Sequence, residues 1–158
     1  MRTIIFFLFL LAVSAKAQDC NYTLNKDGKL ETTREVLAFN RDLSGVMATA
    51  KRDGNFKYLE MYMFLPRKAA FDKYNAFEMV LIDSTVVNGV FSESGRTIYN
   101  DAVGQHVIEI KVFFPDEYLD IMTRVPVARI KMRGNSEDIE MKAPGRETKI
   151  MQTIKCIL

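Results

Sequence analysis

One histidine, two cysteines and scattered carboxylates are the groups in this 158-residue chain that could do chemistry. A single histidine, His106, excludes zinc sites built on two histidines. Any Ser-His-Asp triad would have to be assembled around it. It opens the segment HVIEIKVFF on the same face as Ile108, Ile110, Val112 and Phe114, and so reads as a residue at the edge of an apolar core. The segment PDEYLD places Asp116, Glu117 and Asp120 within one turn, where acidic residues complement the positive end of a helix dipole rather than gather a cation. Met61 and Met63 share one strand face and could join Met79, Met132 and Met141 as soft ligands for copper(I). Thioethers are also ordinary core filler, and core packing is the expectation. G-x-S-x-G, P-loop, dinucleotide and EF-hand patterns are absent. Neither a catalytic residue, a metal nor a cofactor is therefore expected. Hydrolysis through two carboxylates at a fixed separation stays open as an alternative, because sequence does not reveal separations.

The cysteines pose a question of compartment. The chain begins MRTIIFFLFLLAVSAKAQ, with Arg2 before an apolar run from Ile4 to Val13 and the small-x-small pattern Ala15-Lys16-Ala17. That order is the anatomy of a secretory leader cleaved after Ala17. The run is too short to span a bilayer, which needs about 17 to 25 residues. AKAQDC lacks the residues that precede a lipidated cysteine. Removing Arg2 and Lys16 turns 22 basic and 20 acidic residues into 20 of each. A neutral domain over 18–158 gives no electrostatic reason to expect nucleic acid or an anionic membrane surface. In an oxidising compartment the expected use of two cysteines is a bridge, here Cys20–Cys156, tying down both ends of one domain. A reactive thiol is disfavoured because only Lys155 lies near Cys156 as an activating cation.

The elements that would position these groups are mostly strands. Asp53-Gly54-Asn55 is tight-turn chemistry between two alternating flanks. Val46, Ala48 and Ala50 share a face with Leu59, Met61, Met63 and Leu65. The other face carries Met47, Thr49 and Lys51 with Phe56, Tyr58, Glu60, Tyr62 and Phe64. Further strands are expected over 76–83, 85–91, 96–100 and 106–114, and a short helix follows Pro115 over about 115–123. VARIKMRGNSEDIEMK reads as a second hairpin, with Val127, Arg129 and Lys131 alternating against Ala128, Ile130 and Met132. A terminal helix puts Ile150, Met151, Ile154, Ile157 and Leu158 on one stripe, with Cys156 opposite. Thr32 to Asn40 is ambiguous and could form a short helix.

The predicted fold is mainly β: an antiparallel sandwich or partly closed barrel with two helices. The PVARIKM hairpin, its polar turn and the cysteine-bearing last helix, with the early Cys20, resemble small exported β-rich bacterial proteins of unknown function. That resemblance implies compartment and shape only.

Phe56, Tyr58, Glu60, Tyr62 and Phe64 form the candidate ligand-binding set. The row is either covered by a second sheet or the terminal helix, or left as an open platform for a glycan or a protein partner. The expected function is an exported, non-catalytic binding or structural module. A partner-docking subunit of an envelope complex is the further alternative to the hydrolase.

Overall fold

The structure, a computed structural model, describes residues 20, 22–25, 27–40 and 42–158; the expected leader over 1–17 lies outside these. Five strands come first: β1 (Tyr22–Leu24), β2 (Leu30–Thr32), β3 (Glu35–Phe39), β4 (Gly45–Asp53) and β5 (Phe56–Leu65). Next are β6 (Ala70–Phe71), β7 (Ala76–Leu81), β8 (Val86–Phe91), β9 (Gly95–Arg96), β10 (Ile98–Asn100) and β11 (Gln105–Phe113). The helix α1 (Asp116–Met122) leads to β12 (Val127–Arg133), β13 (Asp138–Lys142) and the terminal α2 (Glu147–Lys155).

The first hairpin sets the geometry of the rest. Gly54 adopts a φ of +58°, which a residue with a side chain resists, and Asp53 pairs with Phe56 across the two-residue turn. The register that follows sets Val46 against Met63, Ala48 against Met61 and Ala50 against Leu59, all of them buried. Each large apolar side chain so buried contributes about 1.5–3 kcal/mol. Both faces are those expected from the alternation.

Eleven antiparallel strands, among the described residues, form one sheet in the order β1-β2-β4-β5-β11-β8-β7-β12-β13, with β3 also on β4 and β10 also on β11. β6 and β9 form a separate two-stranded ladder. The sheet must curl, because residues from both of its ends bury themselves in one core together with Leu119 and Met122 of α1 and Ile150 and Ile154 of α2. It does not close into a barrel. Asn40, just beyond β3, bridges the gap to β13: its Nδ2 donates to the Glu140 carbonyl at 3.0 Å, and its Oδ1 accepts from the Lys142 N–H at 3.3 Å. The termini are clipped as expected. Cys20 and Cys156 are disulfide-bonded, with Cα atoms 5.4 Å apart, and Cys156 caps α2.

β8 and β10 occupy one ladder position on the same side of β11. Phe91 pairs with Val112, and Ile98 pairs with Val107. Residues 92–97 thus stand opposite residues 108–111, two more than an unbroken strand would need, and the surplus loops out to make β9.

Four expectations are corrected. Thr32 to Asn40 is not helical but supplies the end of β2 and all of β3, held along β4; Thr32 Oγ1 accepts the Ala50 N–H at 2.9 Å. The run 96–100 splits into β9 and β10 because Thr97 turns to bond Ala69. The alternation of β12 breaks at a bulge between Val127 and Arg129, which turns Val127 inward with Ile130 and Met132. On α2 the buried set is Ile150, Thr153 and Ile154, and Leu158 is exposed.

Candidate functional site

The outer face of β4, β5 and β11 carries the aromatic row. Register places four cross-strand rows on it: Lys51-Tyr58-Phe113, Thr49-Glu60-Lys111, Met47-Tyr62-Glu109 and Gly45-Phe64-Val107. All five predicted residues therefore share one face. Among the described residues, neither helix nor a second sheet covers them: α1 and α2 pack on the inner side, and Phe56 at the turn is 71% exposed. Of the two alternatives, the terminal helix does not lie over the row, because the apolar sides of both helices join the inner core.

Charged neighbours supply partial cover instead. Lys111 Nζ lies 5.6 Å from the centre of the Tyr58 ring, whose centroid is 5.4 Å from that of Phe113. The Arg34 guanidinium stands 5.4 Å from the centre of Tyr62 and pairs with Glu109 at 2.9 Å. Lys51 Nζ bonds Glu60 at 2.6 Å and Glu31 at 3.3 Å. Partial burial pulls the Lys51 ammonium down, but the hydrogen bonds and charges of Glu60 and Glu31 outweigh it and hold the group above its ordinary value. Around Tyr58 and Glu60 the face is thus closed by ion pairs.

The other end of the row is apolar. Phe39, 45% exposed, lies over Gly45 beside Phe64, with ring centroids 6.0 Å apart. A Cβ on Gly45 would come within 2.4 Å of Phe64, so glycine is what lets the two rings close over β4. Phe64 pairs onward to Val107 and Val107 to Ile98, which is 71% exposed. An apolar band therefore crosses β3, β4, β5, β11 and β10. Beside it a pocket of about 330 Å³, lined by Tyr62, Glu93, Arg96, Ile98, Val107 and Glu109, opens where residues 92–97 leave β11. Of the five predicted residues, only Tyr62 lines it.

A second pocket, of about 420 Å³, sits at the seam between β3 and β13 and is lined by Asn40, Asp42, Ser44, Arg67, Glu137 and Glu140. Asp42 Oδ1 accepts from the Ser44 hydroxyl at 2.6 Å and from its N–H at 3.0 Å. These bonds, aided by the Arg67 charge, hold the Asp42 carboxyl below its ordinary value. Glu137 pairs with Arg67, and Glu140 with Arg129 and Lys131. A general acid for glycoside or ester cleavage needs a raised pKa, the opposite of what Asp42 has.

The remaining candidates resolve locally. His106 packs edge-on against Tyr99, ring centroids 5.3 Å apart, and its buried Nδ1 has no hydrogen-bond partner among the described residues. Nothing there orients it as a base. Met61, Met63, Met79, Met132 and Met141 are at most 1% exposed, within the core. Among the described residues, no group of three or more His, Cys, Asp or Glu side chains is arranged to hold a metal. Asp120 pairs with Arg124, and Asp116 with Lys57 at 3.1 Å.

Sequence reasoning missed Arg34, Phe39, Asn40 and Asp42, which lie in or beside the ambiguous segment, and Ile98 and Arg96. Glu109 and Lys111, which alternate with Ile108, Ile110 and Val112 in HVIEIKVFF, were the available signal. No protein-family model matches the chain, and comparison with curated proteins and with solved structures likewise yields no match. Among the described residues, no helix is long and apolar enough to cross a membrane. The disulfide fits an oxidising, extracytoplasmic setting.

Proposed function

We propose that this is an exported, non-catalytic docking module that engages a protein partner of the cell envelope through the apolar band. The observation that carries the reading is the band itself. Phe39, Phe64, Val107 and Ile98 cross five strands on a face that no helix covers among the described residues, rimmed by Arg34, Glu109, Arg96 and Glu93. An apolar centre with a charged rim is the usual anatomy of a protein interface. The leader, the disulfide and the likeness to exported β-rich proteins support the compartment.

A second reading, a glycan stacked on Tyr58 and Tyr62, is favoured by their partial exposure on that same face. It is the weaker one, because Lys111 and Arg34 already lie against these rings and a sugar would have to displace them.

The test is co-purification from the envelope fraction of the source organism with wild type, Phe39→Ser/Ile98→Asp and Tyr58→Ala/Tyr62→Ala proteins. The docking reading expects the first variant to keep its melting temperature and lose its partner. Capture undiminished by that variant refutes it. Retention on glycan lost only in the tyrosine variant would install the second reading.

A further inference from the structure

We propose that the pocket beside Tyr62 receives the Asn55–Phe56 turn of a second copy of this chain, so that molecules associate head to tail. The proposal rests on the protein-docking reading and names the partner.

The pocket floor is β11, which pairs with β5 along its length but lacks a ladder partner on its other side between Val107 and Val112. Among the described residues, the Ser92 N–H alone bonds across the gap, donating to the Lys111 carbonyl at 2.9 Å. In an antiparallel strand, successive residues turn their N–H and C=O alternately to the two neighbours. Lys111 faces the gap, so Glu109, two residues earlier, faces it too. Its N–H and C=O meet no ladder partner there among the described residues. One donor and one acceptor thus stand side by side at an exposed position, open to a partner that can bond both.

The chemistry of the gap selects its occupant. A primary carboxamide carries a syn N–H and C=O at the spacing needed to bond both groups of one extended residue. A peptide running along β11 is excluded, because β8 and β10 close the gap at both ends. The carboxamide must enter end-on, from a narrow protrusion.

The chain has such a protrusion. Asn55 is exposed at the tip of the two-residue β4–β5 turn, and no hydrogen bond among the described residues holds its carboxamide. Phe56 beside it is 71% exposed, matching Ile98 at the pocket rim. Turn and pocket lie at opposite ends of the same face of β5, so a molecule cannot fill its own pocket. Such a heterologous contact propagates into short chains. The area is small, and affinity in the range of about 10 μM to 1 mM is expected.

Two measurements decide. Sedimentation equilibrium should show wild-type association that Asn55→Asp weakens at least tenfold, since a carboxylate cannot donate to the Glu109 carbonyl. Phe56→Ala, which lacks the tip, and Ile98→Asp, which lacks the rim, should each be monomeric yet form a one-to-one dimer when mixed. A wild-type protein that stays monomeric at 1 mM, about the weakest affinity allowed here, overturns the proposal, as does failure of the mixture to associate. A photo-crosslinker at position 98, used in the envelope of the source organism, separates the two readings. Cross-linking to another copy supports this inference. Cross-linking only to a different protein overturns it and leaves the docking reading standing, and no cross-link at all overturns both.

Discussion

Replacing Cys156 by serine removes a cross-link between residues 136 positions apart, while the buried core beneath α2 keeps every side chain it has. Chain-entropy reasoning for a loop of that length gives a loss of about 5 kcal/mol. Little else secures the leading segment: β1 is three residues long, and the Lys29–Asp53 pair next to it is exposed and screened by solvent. A domain of this size holds about 5–15 kcal/mol in total, so the variant should sit close to its folding threshold. In thermal melts the midpoint should fall by about 15 °C. In urea the midpoint should fall while the m-value rises, because the unfolded chain is no longer looped. Cys20→Ser and the double variant should show the same loss as the single one, since any of the three removes one bond. A shift below about 3 °C, or a double variant worse than either single, would refute the account.

Other outcomes follow from particular contacts. A Cβ on Gly89 would meet Phe114 at 2.7 Å and Val112 at 2.8 Å, both buried, so Gly89→Ala should cost about 2 kcal/mol in denaturant titrations; a stabilised variant would contradict the packing. Asn40→Ala should lose about 1–2 kcal/mol and speed hydrogen exchange at the Lys142 amide, and unchanged exchange there would mean the seam is held some other way. Asp42 is held below its ordinary value of 3.8, so its contribution is complete above that pH and disappears as pH falls through the lower, folded value. The stability gap between wild type and Asp42→Asn should accordingly narrow on acidification, and a gap that widens would reverse the sign argued here.

The first hairpin, α1 and the clipped termini were legible because each depends on neighbours in sequence: a Gly-Asn turn, a proline with acids behind it, a cysteine at each end of the domain. β3 was not legible. Its bulge turns both Leu37 and Ala38 inward, which erases the alternation that marks a strand. The aromatic face was found by alternation, but its character was not. Whether Tyr62 stands free or beneath a guanidinium depends on Arg34, which reaches it from across β4. The two pockets depend on still longer reach. One joins residues 40–44 to 137–140, and the other exists only because two strands share one ladder position with residues to spare.

That surplus lies outside the main sheet, and its place has a consequence for how this chain can vary. Phe91 is held by Val112 and Ile98 by Val107, while Gly95 and Arg96 between them pair with β6 instead. The faces of β8 and β10 are thus set by β11 and not by the number of residues that join them. A residue gained or lost between Ser92 and Ser94 would be taken up in the excursion, widening or narrowing the opening beside Tyr62. Length variation there makes the loop a dial for the size of the pocket that leaves the rest of the sheet untouched.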